Sequence, residues 1–225
     1  MLYEMYRSPS LMTYVQRECQ ASSKSASREF DLSTLLKQPY LQAIFAETLR
    51  YRNHIFMTRF PDPHDMYVNG WRLPAGKVVM TCSTVQHMNS TLWNTGNNNS
   101  HPIDTFWPGR FLVSQELSQV AVGGRRDSAI SLEHDREAGD PNVQAPKFST
   151  KGLDGAWIPF GGGTQMCPGQ KLAKAEIFLA VATLLANFDI ELKDPAVAMS
   201  VNWWHFGTGV AKPADKLPFR VRRRL

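Results

Sequence analysis

Apolar residues recur at helical spacing in several stretches of the chain. Leu41, Ile44, Phe45 and Leu49 follow Pro39 at such steps, which predicts a helix from Pro39 to about Arg52. Ser8-Pro9 reads as an N-cap followed by proline at the first helical position, opening a helix to about Cys19. Asp31 caps a short helix through Leu32, Leu35 and Leu36. The strongest helix runs from Gly169 to about Phe188, with Leu172, Ile177, Leu184 and Leu185 as its apolar face.

Between the helices the pattern shortens. Asn69-Gly70 and Pro74-Ala75-Gly76 are turn signals separating strand candidates at Met66–Val68, Trp71–Leu73 and Lys77–Thr81. Beyond Asp189 the chain reads as short strands broken by Pro195, Gly207, Gly209 and Pro213. Ala21 to Ser27 is a small Ser-rich linker and Gly96 to Ser100 a polar loop. Val113 to Gly155 has little periodicity, and an irregular stretch of that length inside a domain is often functional or disordered. The expected fold class is α+β, mainly α with small sheets, and no internal repeat is visible.

Composition narrows the function classes. With 43% hydrophobic and 20% charged residues, the 225-residue chain can bury a sizeable core in one large domain. Its +5 charge is spread out, apart from Arg220, Arg222, Arg223 and Arg224, read as a solvated terminus, so no nucleic-acid partner is expected. The start carries no signal-peptide pattern. The most apolar stretch, Ile177 to Ala186, falls well short of the ~20 residues that span a bilayer, so no anchor is expected in this chain. Cys19, Cys82 and Cys167 form neither a disulfide framework nor a zinc pattern, and the histidines lack metal-type spacing. A reducing, intracellular setting is expected.

Candidate chemistry concentrates in Phe160-Gly161-Gly162-Gly163-Thr164-Gln165-Met166-Cys167-Pro168-Gly169, directly before the strongest helix. A glycine loop here delivers one cysteine to a helix N-terminus, where free N–H groups and the dipole favour a thiolate. Such a cysteine could be a nucleophile, a redox sensor or a soft metal ligand, or simply a buried residue at a tight turn. The nucleophile reading lacks a nearby base: the flanking histidines are His134 and His205, both more than 30 residues away. The glycines lack the Gly-Lys-Ser/Thr of a phosphate loop.

Phe-x-x-Gly-x-x-x-Cys-x-Gly resembles the haem-binding loop of the cytochrome P450 family, and composition predicts only about 0.0007 chance matches. The resemblance implies haem b with Cys167 as axial thiolate ligand. It implies that Phe160 packs beside the haem and sulfur and that Gly161 and Gly163 shape the bend. Gly169 would let the following helix approach the porphyrin. Gln165 stands where the family usually has Arg or His against a haem propionate, and Arg59 is the substitute cation. Glu47-x-x-Arg50 is by itself uninformative, since Glu4/Arg7 and Glu133/Arg136 share the spacing and read as surface pairs. Its context, Gln38 to Arg50, resembles the family's whole helix. Phe106-Trp107-Pro108-Gly109-Arg110-Phe111 resembles the element whose arginine completes a buried Glu47–Arg50–Arg110 cluster.

The order of these elements resembles the family's C-terminal, proximal half, in the eukaryotic membrane-type class. That implies a division into helices and small sheets (1–103), a meander (104–157), the cysteine loop and its helix (158–188) and C-terminal strands (189–225). The family's oxygen-activating helix, with its acid–alcohol pair, would precede Met1, so the chain reads as truncated. The implied activity is insertion of one oxygen atom of O2 into an apolar organic substrate, with electrons from NADPH delivered by a reductase. Alternatives are a non-catalytic remnant and a haem-thiolate isomerase or dehydratase. Arg125, Arg126, Lys147, Lys151, Lys171 and Lys174 would form a basic proximal face for the reductase. Asn53 to Phe56 and Phe206 to Thr208 would touch substrate, with His54, Phe56 and Phe206 making the site mostly apolar. The resemblance also implies the endoplasmic reticulum membrane as location.

Overall fold

The computed structural model describes residues 1–24, 29–113, 146–197 and 199–224. The central helix is α4 (Pro39–Arg52), as its apolar spacing predicts. It is preceded by α1 (Leu2–Arg7), α2 (Pro9–Ala21) and α3 (Leu32–Leu35). Ser8 ends α1 and caps α2, its hydroxyl accepting from the Leu11 amide, and Asp31 likewise caps α3 through the Thr34 amide. α1 has no counterpart in the sequence reading. One short turn of helix carries too few apolar positions to show a period.

α4 is buried on two sides. Leu41, Ile44, Phe45 and Leu49 join Leu11 and Val15 of α2 in one core, with Phe178, Val181, Ala182 and Leu185 of α6 (Gln170–Asn187). The opposite side offers only Ala43 and Ala46, which lets Trp93, Phe111, Leu112, Leu153 and Ala156 pack close as a second core. The buried face of α6 differs from the expected one. Leu185 is buried, but Leu172 and Ile177 are exposed, and Phe178, Val181 and Ala182 point inward instead. A helix apolar nearly all round has no stripe from which to read its buried side.

Among the described residues the strands form four small antiparallel sheets. α4 runs directly into β1 (Asn53–Arg59), the middle strand of a three-stranded sheet with β4 (Val79–Cys82) and β8 (Thr208–Val210). β2 (Met66–Val68) and β3 (Trp71–Leu73) form a hairpin about Asn69 and Gly70, both at positive φ as this turn requires. The third strand candidate lies slightly later than expected, at Val79–Cys82, and leads into α5 (Ser83–His87). β5 (Leu112–Val113) pairs with β6 (Lys147–Phe148), and β7 (Phe188–Leu192) with β9 (Phe219–Arg223).

Most of the irregular stretch, residues 114–145, lies outside the described residues, as does part of the Ser-rich linker. The architecture is mixed α and β, with helices making the core. Among the described residues no helix is long and apolar enough to cross a membrane.

Candidate functional site

The last turn and a half of α4 carries Glu47 and Arg50 into the interior. Both are fully buried. Their i,i+3 spacing places one over the other, and the guanidinium grips the carboxylate with two parallel bonds, Nε to Oε2 at 2.7 Å and Nη2 to Oε1 at 2.8 Å. Arg110 reaches the same carboxylate from a 3-10 turn at Pro108–Phe111, its Nε 3.3 Å from Oε1. The Trp107 amide donates to Oε1 at 2.9 Å. The spare guanidinium hydrogens are spent on carbonyls. Arg50 donates to His87 and Thr105, and Arg110 to Asn94, His101, Pro102 and Thr105. A carboxylate and two guanidiniums are thereby desolvated and re-bonded, which makes the cluster costly to break.

Glu4 departs from its expected role as a surface partner. It is only 8% exposed, and it faces both Arg7 and Arg52 at 3.5 Å. Glu133 and Arg136 lie outside the described residues.

The glycine loop follows a short anchored segment. Trp157 Nε1 donates to the Ala46 carbonyl at 3.2 Å, the Ile158 amide to His87 Nε2 at 3.1 Å, and Asn53 Nδ2 to the Pro159 carbonyl at 2.6 Å. Phe160 is half-buried and stacks on Phe45, ring centroids 6.5 Å apart. Gly161 and Gly163 sit at φ of +80° and +66°, where a side chain would be strained. The Cys167 amide closes the loop on the Phe160 carbonyl at 2.9 Å. Cys167 is exposed, whereas Cys19 is buried and Cys82 partly so, and all three are free.

Cys167 lies two residues before Gly169, the N-cap of α6. Gly169 has ordinary helical backbone, and a Cβ there would make an ordinary contact, 3.8 Å from the Cys167 sulfur. Gln165 is exposed in a 3-10 turn. Arg59, exposed at the end of β1, reaches the loop, its Nη2 donating to the Gly162 carbonyl at 2.9 Å.

His54, Phe56 and Phe206 come together. His54 and Phe206 stack with centroids 5.4 Å apart, Phe56 meets Phe206 edge-on at 5.6 Å, and Trp203 adds a fourth ring. His54 is buried, its Nδ1 2.8 Å from the Thr84 hydroxyl, while Phe56 and Phe206 are partly open. Asn53, from the same run, is buried with its amide turned to Pro159. Phe56 also lines an open cleft of about 600 Å³ with Met80, Cys82, Val85, Gly155 and Ile158.

Of the basic set, Lys147, Lys151 and Lys171 are exposed, and Arg125 and Arg126 lie outside the described residues. Lys174 is half-buried. Its ammonium donates to Gln42 Oε1 at 2.7 Å and lies over the rings of Phe148 and Phe178, and burial holds its pKa below the usual lysine value. The anchoring roles of His87, Asn53 and the Trp107 amide are absent from the sequence reading. Each acts across 60 or more residues, and no local pattern reports such a contact.

Residues 1–219 match the family described as Cytochrome P450. Among the curated relatives, cytochrome P450 monooxygenase fsoE of Humicola fuscoatra is 34% identical over 99% of this chain and 38% of its own length. Cytochrome P450 monooxygenase efuG of Hormonema carpetanum is 32% identical over 99% of this chain and 39% of its own. Ferruginol synthase of Salvia pomifera is 28% identical over 98% of this chain and 40% of its own. The chain thus spans about two fifths of the length of these relatives. A match running through the cysteine loop and the buried Glu47–Arg50–Arg110 cluster places the chain in the cytochrome P450 family.

Proposed function

We propose that this chain is the haem-thiolate part of a monooxygenase that inserts one oxygen atom of O2 into an apolar organic substrate. The observation that carries the proposal is the placing of Cys167: an exposed thiol on a glycine loop closed onto Phe160 and anchored to the helix of the buried ion cluster. The donor chemistry fits a haem. A single soft sulfur ligand is presented without competing His, Asp or Glu clusters among the described residues. Iron held by Cys167 would supply the oxygen-activating redox chemistry, thiolate donation favouring O–O cleavage.

The other residues hold and shield. Gly161 and Gly163 take the backbone conformations that bring the loop round to Cys167. Phe160 covers the loop from the side of Phe45. Arg59 offers a cation beside the loop for a propionate, with Gln165 as an uncharged donor. Glu47, Arg50 and Arg110 keep α4 and the segment around Trp107 locked together. His54, Phe56 and Phe206 supply an apolar wall for substrate.

Electrons would come from an NADPH-dependent reductase docking on Lys147, Lys151 and Lys171, at the endoplasmic reticulum membrane. Complementary charge would steer that encounter and fade with salt. Reductase binding that weakens as ionic strength rises, and further on Lys151→Glu with Lys171→Glu, supports this docking face. Binding indifferent to both contradicts it. The haem assignment is tested by the carbon monoxide spectrum of the reduced, haem-loaded chain against Cys167→Ala.

A further inference from the structure

We propose that His87 is the positioning residue of the cysteine loop, its Nε2 atom fixing the Ile158 amide from which the loop is hung. The proposal rests on Cys167 being the working atom of the site.

His87 ends α5 and is fully buried. Its Nε2 accepts from the Ile158 N–H at 3.1 Å. A ring nitrogen that accepts keeps its lone pair, so the imidazole is neutral and its proton sits on Nδ1. Nδ1 is buried and completes no hydrogen bond of ordinary geometry among the described residues. Burial first, and the Arg50 guanidinium second, push the ring down to about 4, which keeps Nε2 an acceptor at neutral pH.

The residue works from both ends. Its carbonyl accepts from Arg50 Nη1 at 2.9 Å, so the ring is tied to the buried ion cluster. On the other side Pro159 has no N–H, so Ile158 carries the last backbone donor before Phe160. His87 takes that donor, and Asn53 takes the Pro159 carbonyl. From this clamped pair the Gly161 amide turns back to the Ile158 carbonyl at 3.1 Å, and the Cys167 amide to the Phe160 carbonyl at 2.9 Å. An acceptor on His87 therefore sets the backbone that presents the sulfur.

Two measurements test this. Nitrogen-15 spectra of histidine-labelled chain should show His87 protonated at Nδ1 and bare at Nε2. An Nε2-protonated ring overturns the proposal without any variant having to fold. Amide hydrogen exchange then compares His87→Gln, which keeps an acceptor near Nε2, with His87→Leu, which keeps bulk alone. The Leu variant should exchange the Ile158 and Cys167 amides about tenfold faster than the Gln variant and faster than Leu185→Ala, which weakens the core elsewhere. Equal protection in the Gln and Leu variants overturns the role, and so does faster exchange at Ile158 alone. Failure of the haem reading would appear instead in the spectrum of Cys167→Ala and leave these rates unchanged.

Discussion

Glu47 and Arg50 meet across one turn of α4 in a two-pronged ion pair, 2.7 and 2.8 Å long, with both side chains shut off from solvent. Arg110 shares the same carboxylate, so removing Glu47 strands two guanidiniums and removing either arginine strands a neighbour's bonds. Such a cluster adds little net stability over an apolar core, yet it strongly penalises partial loss.

Glu47→Ala and Arg110→Ala should each lower stability by about 3–5 kcal/mol, read by thermal or denaturant unfolding. Arg72→Ala breaks the exposed pair with Asp65 and should be nearly silent. Equal losses in all three would mean that the cluster is not a dry unit.

Glu4→Ala should cost more than Arg72→Ala, because Glu4 is enclosed between Arg7 and Arg52. A loss of about 1–3 kcal/mol is expected from two uncompensated partners. A silent Glu4→Ala would restore the reading of a mere surface pair.

Glu18 of α2 gives a pH signature. Its carboxylate accepts from the Tyr40 and Leu41 amides at the start of α4, at 2.8 and 2.9 Å. Burial outweighs these bonds and pushes the carboxyl up to about 7. The folded chain therefore binds the proton that the unfolded chain has already released between about 4.5 and 7, and stability from this group falls as pH rises through that window. Glu18→Gln should gain on the parent across it. His87 acts in the opposite sense, since a ring pushed down to about 4 loses stability as pH falls below about 6.5. His87→Gln should lessen that acid loss. Melting curves of the two variants from pH 4 to 8 separate the terms, and identical slopes for parent and both variants would contradict them.

Much of the scaffold was legible because its signals are local. Pro39 and the apolar spacing after it mark α4, and Asn69-Gly70 marks the β2–β3 hairpin. The buried cluster was legible only through resemblance, since Glu-x-x-Arg occurs three times in the chain. The buried side of α6 was not legible, because Leu172 and Phe178 are equally apolar and only tertiary packing chooses between them. Nor was the clamp on the cysteine loop. Asn53 meets Pro159 across 106 residues, and His87 meets Ile158 across 71, through bonds that sequence spacing does not encode.

Arg59 should govern haem retention more than Gln165 does. A charge-assisted bond to a propionate contributes about 1.5–3 kcal/mol, against roughly 0.5–1.5 for a neutral donor. Arg59→Ala should therefore speed haem transfer to an apo-acceptor more than Gln165→Ala, and Gln165→Arg should slow it. Transfer from Arg59→Ala at the parental rate would leave Arg59 a backbone-tying role, through its bonds to the Thr58 and Gly162 carbonyls.

On this reading Cys167 is the thiolate ligand of a haem. Loading the chain and its three cysteine variants with haem and recording the reduced carbon monoxide complex decides the matter. A thiolate-type Soret band is predicted in the parent, in Cys19→Ala and in Cys82→Ala, and is predicted to vanish in Cys167→Ala. The same thiolate band persisting in Cys167→Ala would mean that another group holds the iron.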